Sequence, residues 1–174
     1  LELGQVDYRW IAGGMIVGAI IGAVFAIRVE MTSMPEMVAL FNGFGGIASA
    51  LVAGSIYWDE VVQKAPEGSV ASIMGTDESI TVMLSILIGG VTFTGSIIAL
   101  MKLNGSLKNG QPILLPARHF ITFALLFASL VFGVLGVVAA GSDSVLWVLL
   151  LAGGALILGI LLTIPIGGAD MPVV

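Results

Sequence analysis

The chain has no cysteine, one histidine and six basic residues in 174. Without cysteine there are no disulfides, no thiolate metal sites and no cysteine nucleophile. Six basic residues against eleven acidic ones leave no basic stripe for nucleic acid. Charged residues make up 10% of the chain, against roughly 25% in soluble proteins, which points to a membrane. No His/Asp/Glu group has metal spacing, no Ser/His/Asp set is suggested, and no segment reads as the strand, glycine loop and helix of a dinucleotide fold. No Asp, Glu, Lys or His falls in the middle of an apolar run, so the chain offers no intramembrane proton carrier of its own. It begins at Leu1, and no charged segment with a cleavage site precedes the first apolar run. No signal peptide is therefore expected, and the chain reads as an internal piece of a longer one.

What is abundant is apolar length. Hydrophobic residues are 58% of the chain and mean hydropathy is +1.14. Five runs stand out: Trp10–Ile27, Met37–Tyr57, Ile80–Met101, Phe120–Ala140 and Val145–Pro165. Each is near the roughly 20 residues that cross a hydrocarbon core of about 30 Å as a helix. The expected fold is all-α, a polytopic transmembrane helix bundle with five complete spans. Met34-Pro35-Glu36-Met37-Val38 is echoed by Met171-Pro172-Val173-Val174, each copy following a candidate cap (Ser33, Asp170). The echo predicts that the chain stops at the start of a sixth span.

The ends of the runs carry punctuation. Ser33-Met34-Pro35-Glu36 has capping-box spacing with proline in the first turn. Thr76-Asp77-Glu78-Ser79 offers caps and first-turn acids. Asn104-Gly105 and Asn109-Gly110 predict turns, and Gly141-Ser142-Asp143-Ser144 a tight antiparallel connection. One membrane side collects Arg28, Lys102, Lys108 and Arg118. The other holds Arg9 and Lys64 among most of the acids, so the first side is expected to face the cytoplasm or matrix. Gly14, Gly18 and Gly22, and Gly46, Ala50 and Gly54, have the four-residue spacing that lets helices approach closely.

Polar residues at lipid depth are the candidates for function, because each must be paired or hydrated. Asn42 and Ser49 lie in the second run with Gly46 between them. Asn42 either holds water in a wet path or makes an interhelical hydrogen bond; an amide does not titrate near neutral pH. Thr81, Ser85, Thr92 and Ser96 step by 4, 7 and 4, which puts them on one helix face. They either line a hydrated path or bond back to their own helix. Glu36 and Asp170 are explained by helix starts as well as by function. Arg118 and His119 precede the fourth run, where His119 either titrates or anchors the interface.

Four longer motifs go further. They are residues 28–38 (Arg28-Val29-Glu30-Met31-Thr32-Ser33-Met34-Pro35-Glu36-Met37-Val38), Val91-Thr92-Phe93-Thr94-Gly95-Ser96, Leu115-Pro116-Ala117-Arg118-His119 and Ile166-Gly167-Gly168-Ala169-Asp170-Met171-Pro172-Val173-Val174. In this order they resemble the beta subunit of proton-translocating NAD(P) transhydrogenase, over the middle of its membrane domain. The resemblance implies a subunit of an enzyme that couples hydride transfer from NADH to NADP+ to proton translocation. This segment would conduct the proton and carry no hydride-transfer site, no cofactor and no metal. NAD(H) and NADP(H) would bind soluble domains, the NADP-binding one being absent from this chain. Implied partners are alpha subunits, the NADP(H)-binding domain and a second copy in a homodimeric complex. The bilayer implied is the bacterial inner membrane, with the mitochondrial inner membrane second. By position, Asn42 falls where many members have a histidine implicated in proton transfer, so the titrating group would sit on another helix, such as one of an alpha subunit. Ser96 matches a serine near that histidine, with Thr92 and Ser49 beside the same implied pathway. Glu36, Asp170 and Arg118 would couple the membrane edge to the NADP(H) domain. The rival expectation is a passive channel or secondary transporter subunit without nucleotide chemistry.

Overall fold

The structure, a computed structural model, describes residues 8–64 and 68–168. Among the described residues six α-helices run in chain order: α1 Tyr8–Arg28, α2 Met34–Tyr57, α3 Val70–Met74, α4 Thr76–Leu103, α5 Arg118–Val138 and α6 Gly141–Thr163. All but α3 are long and apolar enough to cross a membrane. The described residues contain no strand, only an isolated bridge between Ser69 and Ala140. The helical bundle expected from hydropathy is the observed fold. The echo that predicted a sixth span ends at 171–174, and Asp170 with it lies outside the described residues.

The chain divides into two units, Leu1–Met34 and Pro35–Val174. The described part of the first is α1 with the 3-10 turn Met31–Ser33. No residue of α1 is buried, and a Cβ at Gly14, Gly18 or Gly22 would meet nothing within 4 Å.

In the second unit α4 is the central helix. One face meets α2 through Gly89, Thr92 and Ser96, and another meets α6 through Gly90, Val91, Thr94 and Gly95. A Cβ at Gly90 would come within 2.9 Å of the Ala155 Cβ. The Thr94 hydroxyl reaches across to the Leu156 carbonyl (2.8 Å) while also bonding Gly90 of its own helix (3.1 Å). Side-chain size, more than hydrophobic area, sets these contacts, because lipid competes equally for apolar surface. The core is Val82, Met83, Ile86 and Leu87 of α4, Val148, Leu151 and Ala155 of α6, Ala53 and Tyr57 of α2, and Val61 and Val70. Outward faces carry exposed Phe123, Phe127, Val134, Leu146 and Leu149. Such a continuous apolar exterior fits a bilayer rather than water.

Helix ends differ from the sequence expectation in instructive ways. The helices extend beyond the apolar runs at most ends, since the backbone continues a turn into the polar interface. Ser33 is the last residue of a 3-10 turn, Met31–Ser33, and α2 begins at Met34. Glu36 still falls in the first turn of α2. Gly75, with φ +86°, stands at the N-cap of α4 and no side chain caps it. Ser79 instead turns inward, donating to the carbonyls of Gly75 (2.6 Å) and Val70 (3.2 Å). The turns at Asn104-Gly105 and Asn109-Gly110 are present, with Gly105, Asn109 and Gly110 at positive φ. The connection between α5 and α6 is shorter than expected, only Ala139 and Ala140, because Gly141–Ser144 already belong to α6. After Tyr57 the second span continues as a π-helical turn, Trp58–Gln63. There Lys64 is bonded to Glu60 (2.7 Å), which holds its ammonium pKa above the ordinary value.

Candidate functional site

The polar residues of α2 and α4 meet along one seam. Asn42 comes from the third turn of α2, where Gly43 beside it lets α4 approach: a Cβ there would lie 3.1 Å from the Ser96 Cβ. The Asn42 amide Nδ2–H donates to the Ser96 hydroxyl at 3.0 Å. Ser96 is buried at 7% exposure, so this hydroxyl is paired by the amide rather than by bulk water. Both residues line a cleft of about 580 Å3 with Pro35, Ala39, Ala99 and Ile166 among its walls. That is room for several waters beside the pair.

One turn further along, the seam closes. A Cβ at Gly46 would stand 2.8 Å from the Thr92 Cβ, and one at Gly89 would stand 2.5 Å from the Gly46 carbonyl oxygen. Ala50 completes the contact against Gly89. Beyond this collar the seam opens again into a second cleft of about 430 Å3, walled by Ser49, Ile56, Glu78, Thr81 and Ser85 among others. The first cleft is bounded by the start of α2 and the end of α4; the second lies toward the end of α2 and the start of α4. The seam thus carries two clefts, one toward each end, separated by backbone contact at Gly46 and Gly89. Thr92 stands at the collar, between Ser96 on one side and Ser85 on the other along α4.

The sequence candidates therefore fall into separate places. Asn42 and Ser96 are brought together. Thr92 is at the collar. Ser49 is in the second cleft with Thr81 and Ser85, and the Thr81 hydroxyl bonds the Asp77 carbonyl of its own helix (2.8 Å). Arg118 opens α5, and its Nε–H donates to His119 Nε2 (3.2 Å). The two line a third cleft, about 400 Å3, with Thr122, Pro165 and Ile166. Glu36 is half-buried in α2, and no ion pair joins it to Arg118 among the described residues. The glycine run Asn42–Gly46 lies within α2 with Gly43 and Gly46 spent on packing against α4, so it forms no phosphate-wrapping loop.

Sequence reasoning missed two interior features. Lys102 counted as an interface charge, yet it is 1% exposed. Its ammonium donates to the carbonyls of Ile164 and Ile166, the latter at 2.6 Å. The Tyr57 and Ser144 hydroxyls are hydrogen-bonded at 2.7 Å, tying α2 to α6. The only sequence signal for either was a polar group inside or at the end of an apolar run.

The fold and its five long apolar helices define a multi-pass helical membrane protein. A family model described as NAD(P) transhydrogenase beta subunit matches residues 2–174. Two sequences from Rhodospirillum rubrum, both described as NAD(P) transhydrogenase subunit beta, are each 37% identical to it over 168 residues. The match covers 96% of this chain and 34% of the relatives, so the chain spans about a third of their length. The chain belongs to the NAD(P) transhydrogenase beta subunit family.

Proposed function

We propose that this segment is the membrane proton-conducting part of a transhydrogenase that couples hydride transfer from NADH to NADP+ to proton translocation. Asn42 makes the interhelical hydrogen bond to Ser96, and the observation that carries the reading is the cleft of about 580 Å3 that both line on the α2–α4 seam, with room for water beside the pair. Family membership gives that cleft its context. Asn42 orders water in one cleft, Ser96 and Thr92 carry hydroxyls toward the collar, and Ser49 and Ser85 do so from the other cleft. An amide and hydroxyls relay a proton but do not store one. The titrating group therefore comes from a partner helix of an alpha subunit facing Asn42. NAD(H) and NADP(H) bind soluble domains outside this segment, the NADP(H) domain meeting the membrane at Glu36, Arg118 and Asp170. The assembly is a homodimer in the bacterial cell membrane. One elementary charge crossing 100 mV supplies about 2.3 kcal/mol, which shifts a coupled equilibrium about fifty-fold.

The test is the whole complex in sealed vesicles. Asn42→Leu and Ser96→Ala are expected to lower proton translocation at least tenfold. If both leave proton movement and hydride transfer at wild-type levels, the path runs elsewhere. Proton leak that needs no nucleotide would instead favour the passive channel.

A further inference from the structure

Lys102 is the one charged side chain that is buried among the described residues, and the proton path does not use it. A lysine withdrawn from water in an apolar bundle is costly unless its donors are met. Here two of its three donors are met by backbone: the Ile164 and Ile166 carbonyls just past the end of α6. A helix end leaves carbonyls without intrahelical partners, and Pro165 supplies no N–H. The positive charge also stands at the negative end of the α6 dipole.

The knot reaches further. Ile164 also accepts from the Ile113 N–H (3.2 Å), and the Gly168 N–H donates to the Gly110 carbonyl (2.8 Å). A Cβ at Gly168 would stand 2.8 Å from the Lys102 carbonyl oxygen. The end of α4, the turn after it and the exit of α6 are therefore held as one piece. Ile166 is the residue common to the walls of the Asn42–Ser96 cleft and the Arg118–His119 cleft. Its carbonyl is one of the two that Lys102 bonds.

We propose that Lys102 is a positioning residue. By gripping the Ile164 and Ile166 carbonyls it fixes the wall shared by the two clefts, and so links the state of the polar seam to the Arg118 rim. This rests on the proposed proton path. A shift of a proton beside Asn42 and Ser96 is felt at Arg118 because Ile166 cannot move independently of α4. Losing the grip separates the two events without removing either.

The experiment compares Lys102→Met with wild type in the whole complex, reconstituted in sealed vesicles. Methionine keeps an unbranched apolar side chain and removes the donors. The readout is protons moved per hydride transferred. Hydride transfer is expected to persist while that ratio falls at least threefold. An unchanged ratio, including one in which both rates fall in proportion, shows a merely structural lysine and overturns the proposal. Should the methionine variant fail to assemble, Lys102→Gln retains an N–H donor without the reach, and the same ratio decides the same way. Asn42→Leu and Ser96→Ala run alongside. If they impair proton movement and Lys102→Met leaves the ratio intact, only the role of Lys102 falls; if they do nothing, the proton path itself falls.

Discussion

Gly46 and Gly89 bring the backbones of α2 and α4 into direct contact: a Cβ on Gly89 would stand 2.5 Å from the Gly46 carbonyl oxygen and 2.9 Å from the Ala50 Cβ. The obstructing atoms include backbone, which cannot swing aside as the end of a long side chain would. Gly89→Ala is expected to push the helices apart and destabilise the chain by about 1–3 kcal/mol, the usual cost of overpacking. Gly54→Ala is the control. Its Cβ would meet nothing within 4 Å, and alanine is the better helix former by about 1 kcal/mol. Thermal unfolding in detergent should show Gly89→Ala melting lower and Gly54→Ala melting level or higher. Equal midpoints for the two would mean the contact is not close-packed.

The collar also makes a prediction about access. The chain has no cysteine, so one introduced thiol reports on one position once the partner subunits are blanked with the unmodified complex. Ala39 and Ser49 line the two clefts from the same helix, about 15 Å apart along its axis. Ala39→Cys and Ser49→Cys should react with a membrane-impermeant charged thiol reagent from opposite faces of oriented vesicles. Labelling of both from one face would contradict two clefts divided at Gly46 and Gly89, as would a Ser49→Cys that reacts from neither.

The spans were legible in the sequence because hydropathy over about 20 residues is a property of the run itself. The pairing of Asn42 with Ser96 was only half legible. Spacing put Ser96 on a face with Thr81, Ser85 and Thr92, and Asn42 with Gly46, but nothing local says that the two faces meet. Their meeting depends on Gly43, Gly46 and Gly89 acting together across 54 residues of chain. Ser49 was grouped with Asn42 by its seven-residue spacing, yet the collar falls between them. Lys102 was misread for a related reason. A basic residue in the last turn of a span is ordinarily an interface charge, and its burial is decided by the carbonyls of Ile164 and Ile166, more than 60 residues away. The short helix α3 escaped notice because its five residues carry no periodic signal; it is held by Ser69, whose hydroxyl accepts the Ser72 N–H, and by Ser79 from α4.

Buried serines in this bundle differ in what they hold, and substitution should separate them. The Ser129 hydroxyl is fully buried without a hydrogen-bond partner among the described residues, against Gly154 of α6, where a Cβ would stand 2.6 Å from its oxygen. Burying an unpaired hydroxyl costs on the order of 1–3 kcal/mol. Ser129→Ala removes that cost and leaves only a small void, so it should leave stability unchanged or raise it by about 1 kcal/mol. Ser79 is equally buried, but its hydroxyl donates to Gly75 and Val70 and so ties α3 to α4. Ser79→Ala should cost about 1 kcal/mol and loosen α3 first. Unfolding midpoints of the two variants, with hydrogen exchange at residues 70–74, make the comparison. A Ser129→Ala that melts well below wild type would show that its hydroxyl has a partner after all, and that the α5–α6 contact depends on it.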